Sequence, residues 1–160
     1  MSSELIINST RDKCRIGLIK DKKLVLFHQE NDENKFNVGD IYVGKVKKIN
    51  KSLNAAFIDI GYEKDAFLHY LDLGPQFLSL KTFVKKVRSK GSKTSISSFK
   101  KMDEINKFGK INEVLTKGDE LMIQIVKEPI STKGPRVTTE LSMAGRHLIL
   151  VSFSNAINVS

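Results

Sequence analysis

Within LNAAFIDIGYEKDAFLHY, residues 53–70, two phenylalanines stand ten positions apart: Phe57 after a pair of alanines, Phe67 ahead of Leu68, His69 and Tyr70. Strand alternation sets Leu53, Ala55, Phe57 and Asp59 on one face and Asn54, Ala56, Ile58 and Ile60 on the other. An unpaired carboxylate does not belong inside a small apolar core. Ala56, Ile58 and Ile60 therefore face inward, and Phe57 shares the outward face with Asp59. The same logic turns Phe67 outward with Asp65 and His69, opposite Ala66, Leu68 and Tyr70. Two outward rings on successive strands, with Lys45 and Lys47 nearby, are equipped to stack on unpaired bases and hold phosphates. Each stacked base is worth about 1–3 kcal/mol, whatever its identity. The competing reading buries both rings as a satellite core beneath a loop or a neighbouring excursion.

Further along, PISTKGPR offers Lys133 and Arg136 in a Gly/Pro-containing loop, either as phosphate contacts or as an ordinary solvated hairpin. His69 reads as a base or phosphate contact, because His28, His69 and His147 lack any metal-ligand spacing. The aspartates Asp59, Asp65, Asp72, Asp103 and Asp119 are scattered, and no pair stands out for acid–base or metal chemistry. A phosphate-binding glycine loop, an HExxH and a Ser/His/Asp signature are all missing, so no catalytic or metal-ligating residue is assigned. Cys14 is the single cysteine, which excludes an internal disulfide and a cysteine metal cluster. A reducing, cytoplasmic setting fits that usage. MSSELIINST lacks the basic and long apolar stretches of a secretory signal, and the longest apolar runs are too short for a membrane helix.

The elements that must position these residues read mostly as strands. ELIINS (4–9), CRIGLI (14–19) and LVLFHQE (24–30) form a hairpin or meander turning at Asp21-Lys22-Lys23, followed by a polar linker over 30–37. A new unit opens at Val38-Gly39-Asp40. IYVGKVKKI (41–49), LNAAFIDI (53–60) and KDAFLHY make three strands on short turns, with Gly44 marking a bend or close backbone approach. Leu80, Phe83, Val84 and Val87 then recur at helical spacing, GSKTSISS (91–98) is a flexible run, and a second helical or irregular piece spans about 102–115. ELMIQIVKE (120–128) and VTTELSM (137–143) restore strands, and HLILVSF (147–153) adds an apolar one. Three strands, an excursion and two more strands are the plan of an OB-type barrel: mainly β, five-stranded, with a basic, partly helical insertion between strands three and four.

Net charge is +9 over 160 residues, and it is concentrated. Residues 76–110 hold ten lysines and arginines against Asp103 and Glu104, or 10 − 2 = +8, leaving 9 − 8 = +1 for the remainder. Such a block suits a polyanion, usually nucleic acid; the bland alternative is a solvated, lysine-rich loop.

VGDIYVGKVKKINKSLNAAFIDIGYEKDAFLHYLDL resembles an S1-type RNA-binding domain, and more closely the ribonuclease E/G family. YVGKVKKI, SLNAAFIDIG, DAFLH and IQIVKEPISTKGPRVTTELSMAGRHLIL carry the resemblance, the last being the most specific; LIINST matches the family's opening strand. The resemblance implies that residues 1–35 begin an RNase H-like subdomain, 36–137 form the S1-type domain with the basic insertion at about 76–110, and 138–160 begin a 5′-phosphate-sensing subdomain. It places RNA contacts on Phe57, Phe67 and Lys133, and pocket-lining positions for a 5′-phosphate on Gly145 and Ile149. Where many S1-type domains carry another aromatic, this sequence has Asn54, which removes one stacking surface. By resemblance the magnesium-binding aspartates and an Arg-Thr phosphate-sensing pair lie beyond residue 160. The expectation is thus a single-stranded-RNA-binding part of a magnesium-dependent endoribonuclease, inactive alone and needing no cofactor of its own. Two alternatives stand beside it: half of a split ribonuclease completed by another chain, and a non-catalytic S1-type adaptor. Self-association through exposed strands is a further partner expectation.

Overall fold

The computed structural model describes residues 2–10, 13–31, 36–90, 99–154 and 157. The expected linker lies partly, and the 91–98 run wholly, outside these. The chain divides into two compact units, Met1–Lys35 and Phe36–Ser160.

The first unit is an antiparallel meander of β1 (Ser3–Ser9), β2 (Lys13–Lys20) and β3 (Lys23–Asn31). Asp21 and Lys22 join β2 to β3 with φ of 47° and 65°. Two successive positive φ values suit the twist of a two-residue hairpin. The Asp21 N–H donates to the Ser2 carbonyl at 3.0 Å, and the Ser2 N–H returns a bond to the Asp21 carboxylate at 3.1 Å. Apolar side chains emerge on both faces, because neighbours in sequence such as Ile6 and Ile7, or Leu26 and Phe27, are all more than half exposed.

The second unit is built on a closed barrel of β4 (Ile41–Asn50), β5 (Ala55–Asp59), β6 (Ala66–His69), β7 (Glu120–Lys127) and β8 (Arg136–Thr138), in the order β4-β5-β6-β8-β7. All pairings are antiparallel except β6 with β8. That is the five-stranded mixed barrel expected of an OB fold, with the excursion in its expected place. Val46, Ile58, Leu68, Leu121, Ile123, Ile125 and Val137 fill the interior. Gly44 closes it: a Cβ there would lie 2.5 Å from the Ile58 Cγ2, so only glycine lets β4 approach β5 this tightly.

Helix α1 (Phe77–Lys90) turns Leu80 and Val84 onto Leu141, while Phe77 joins the barrel core. Short helix α2 (Ile111–Val114) sets Ile111, and Leu115 just after it, into that core. The helical or irregular piece expected over about 102–115 is irregular as far as residue 110 and helical at α2. Two expectations need correction. Phe36, read as linker, is buried and packs on Tyr42 and Tyr62 with ring centroids 5.1 and 4.6 Å away. Residues 137–143 are two strands, not one: β8 stops at Thr138, and β9 (Ser142–Ala144) pairs with β10 (Ile149–Val151). The break arises where Thr138 and Thr139 turn their hydroxyls onto the carbonyls of Asp72 and Leu73, after which Leu141 dives into the α1 cluster.

Candidate nucleic-acid interface

Phe57 and Phe67 sit directly opposite each other on β5 and β6. Their neighbours Ala56 and Leu68, also paired, are fully buried. Alternation therefore turns both rings to the outer surface, half-buried, with centroids 5.9 Å apart and planes at 68°. Edge-to-face geometry holds the pair in place and leaves part of each ring open. They form the floor of a groove of about 810 Å³, flanked by the exposed Leu53 and Ile130 and rimmed by Lys127, Lys133 and Arg136.

The loop between β7 and β8 builds the rim. Ser131 and Thr132 form its tip, with Ser131 at φ 51°, and the backbones of Ile130 and Lys133 exchange hydrogen bonds at 3.2 and 2.9 Å. Gly134 then passes so close to β6's approach that a Cβ would meet the Asp65 carbonyl oxygen at 2.1 Å. The Phe67 N–H donates to the Pro135 carbonyl at 2.8 Å, which lays the loop along the strand carrying the ring. The Lys64 ammonium adds a tie to the Ser131 carbonyl.

Not every expected cation remains unengaged. Lys47, at a bulge in β4, bonds Asp65 at 2.9 Å, and this hydrogen bond holds its pKa above the ordinary lysine value. Arg136 grips Asp72 through two nitrogens at 2.9 Å each, which raises its pKa likewise. Lys127 and Lys133 have no ion-pair partner among the described residues. Lys45 is exposed on β4 between Asp59 and Glu120 on the adjacent strands, outside the groove lining.

His69 also lies off the groove; its Nδ1 accepts the Leu71 N–H at 3.2 Å, capping a 3-10 turn over Tyr70–Asp72. Gly145 and Ile149 lie in the β9–β10 hairpin, where the Gly145 N–H donates to the Leu148 carbonyl at 2.8 Å and Ile149 is exposed. The structure thus gathers Phe57, Phe67, Lys133 and Arg136 and leaves Lys45, His69, Gly145 and Ile149 elsewhere.

Sequence reasoning missed Lys127, Leu53 and Ile130 as lining residues. Lys127 was open to detection as the last residue of the ELMIQIVK strand, facing Arg136 across the β7–β8 ladder. Asn54 also has a role that pattern did not reveal. At φ 47° it turns the chain into β5, and its amide bonds the Gly109 carbonyl at 3.1 Å and the Ile111 N–H at 2.7 Å. Where an aromatic was expected by resemblance, an amide staples the excursion to the barrel.

Among the described residues no group of three or more His, Cys, Asp or Glu side chains is placed to hold a metal ion. No helix among these residues is long and apolar enough to cross a membrane.

Fold and site together define an OB-type barrel that displays an aromatic pair in a groove lined by Lys64, Lys127, Lys133 and Arg136 and by Glu63, Asp65 and Glu128. The chain is 32% identical over 160 residues to ribonuclease G of Escherichia coli, all of this chain and 29% of that protein. Against ribonuclease G of Haemophilus influenzae it is 32% identical over 161 residues, 98% of this chain and 28% of the relative. With ribonuclease E of a Synechocystis species it shares 37% identity over 124 residues, 77% of this chain and 14% of the relative. No family model matches. The chain belongs to the ribonuclease E/G family. It spans less than a third of the length of these relatives.

Proposed function

We propose that this chain binds single-stranded RNA as the S1-type part of a ribonuclease E/G-type endoribonuclease acting in RNA processing and decay in the cytoplasm. The observation that carries this reading is the cross-strand pair Phe57–Phe67 on the floor of a groove whose rim holds Lys127 and Lys133. A flat ring face takes any base, and ammonium groups at the rim reach the phosphates on either side. In this reading these 160 residues grip the substrate and do not themselves cut it.

Fluorescence anisotropy with a labelled single-stranded RNA at two salt concentrations tests it, using wild type, Phe57→Ala and Phe67→Ala. Each substitution is expected to weaken binding, and wild-type affinity should fall with salt as phosphate contacts release counterions. Undiminished affinity in both variants would exclude stacking at this groove.

A further inference from the structure

We propose that the excursion carries a second RNA-contact surface, distinct from the groove, which holds phosphate backbone whether or not the bases are paired and so takes duplex RNA as well as single strands. It rests on the reading of this chain as RNA-binding, but on different residues and a different chemistry.

Helix α1 buries Leu80 and Val84 and leaves Lys85, Lys86 and Arg88 exposed. Two cations of this helix are already matched: Lys81 with Asp119 at 2.6 Å, and Arg88 with Glu120 at 3.0 Å. Lys85 and Lys86 have no carboxylate partner among the described residues. The Lys86 ammonium lies 5.1 Å from the centroid of the Phe99 ring. Phe99, Phe83 and Phe153 in turn pack edge-on against one another, with centroids 5.4 to 5.9 Å apart. The next two residues, Lys100 and Lys101, are exposed, and the Lys101 ammonium donates to the Phe153 carbonyl at 2.6 Å. Lys86 and Lys101 thereby contact one aromatic cluster, and Lys85 and Lys100 are their exposed neighbours in sequence.

The segment bearing Lys100 and Lys101 is held, not merely solvated. The Met102 N–H donates to the fully buried Ser79 hydroxyl at 2.9 Å, and the Ile105 N–H to the Pro75 carbonyl at 3.1 Å. A lysine-rich loop with no partner lowers its self-repulsion by spreading. Here ring packing and hydrogen bonds keep like charges together, and a polyanion relieves that repulsion. Base stacking is not the chemistry on offer, because Phe99 is engaged by two other rings and by Lys86. Phosphates remain, and a duplex presents them at higher density than a single strand.

The test measures anisotropy of the full 160-residue chain with a blunt-ended RNA duplex and with a single strand, across a salt series. The triple variant Lys85→Gln, Lys86→Gln, Lys100→Gln is compared with Phe57→Ala/Phe67→Ala, with melting temperatures of both checked against wild type. Each phosphate contact contributes about 0.7–0.9 to the slope of log affinity against log salt, so the triple variant should lower the duplex slope by about 2–3. The phenylalanine double variant should bind duplex as wild type does. A wild-type slope in the folded triple variant would overturn the proposal. So would absence of duplex binding by wild type, loss of duplex binding in the phenylalanine double variant, or a preference for phosphatidylserine vesicles over duplex. Wild-type single-strand affinity in the phenylalanine double variant would instead overturn the stacking groove and leave this surface standing.

Discussion

Arg136 and Asp72 form a two-pronged ion pair, in which Nε and Nη2 of the guanidinium each donate to one carboxylate oxygen at 2.9 Å. The Asp72 carbonyl also accepts from the Thr138 hydroxyl at 2.7 Å and the Thr139 N–H at 3.0 Å, so one residue ties both ends of the short strand β8. Arg136 stands opposite Lys127 in the ladder, and Asp72 offsets the repulsion between them.

It follows that Arg136 and Lys133 separate by assay. Arg136→Ala should cost about 1 kcal/mol of stability, modest because the arginine is 42% exposed, and urea unfolding measures it. Lys133→Ala should leave unfolding unchanged and lower the salt slope of single-strand RNA binding by about 0.7.

The aromatic pair should behave as a unit. Phe57→Ala and Phe67→Ala each remove about 1–3 kcal/mol of RNA binding. Because the rings touch, the double variant should lose less than the sum of the two, which a double-mutant cycle by anisotropy reveals.

Gly134 is required by space rather than by torsion. A methyl group there would meet the Asp65 carbonyl oxygen at 2.1 Å, and that atom belongs to the backbone. Gly134→Ala should cost about 1–3 kcal/mol by overpacking. Displacing the loop from β6 also misplaces Lys133, so thermal melting and RNA affinity should fall together.

Acid should loosen the seat of α1. Burial of the Asp119 carboxyl works to raise its pKa, but the Lys81 ammonium and the Thr116 N–H outweigh it and hold the group below its ordinary 3.8. A depressed carboxyl adds stability that is full above its unfolded value and lost as pH falls through the lower folded value. Stability should therefore drop below about pH 4. Asp119→Asn should remove this component of the pH profile in urea titrations, at a cost of no more than about 1 kcal/mol at neutral pH, since both side chains reach solvent.

The two-faced apolar sheet of β1–β3 should make the 160-residue chain self-associate. Leu5, Ile7, Leu24 and Phe27 are each about 60% exposed, and an open sheet edge adds unpaired backbone groups. Sizing chromatography should show species larger than a monomer; a clean monomer across concentrations would contradict this.

Alternation alone was enough to turn Phe57 and Phe67 outward and Ile58 and Leu68 inward, because a strand gives each face every second residue. The count of barrel strands along the chain, the turn at Asp21-Lys22-Lys23 and a bend or close approach at Gly44 were equally local signals. Tertiary structure decided the rest, since it depends on what meets across long stretches of chain. Asp72 is separated from Arg136 by 64 residues, and Asn54 from Ile111 by 57, so no short-range pattern marks either contact. The end of β8 at Thr138 was hidden for the same reason: its hydroxyl finds a carbonyl 66 residues back, which breaks a stretch that by propensity alone reads as one strand. Charge was legible as a sum but not as a surface. Packing of Phe83, Phe99 and Phe153 selects which lysines stand together, and burial, not composition, governs that choice.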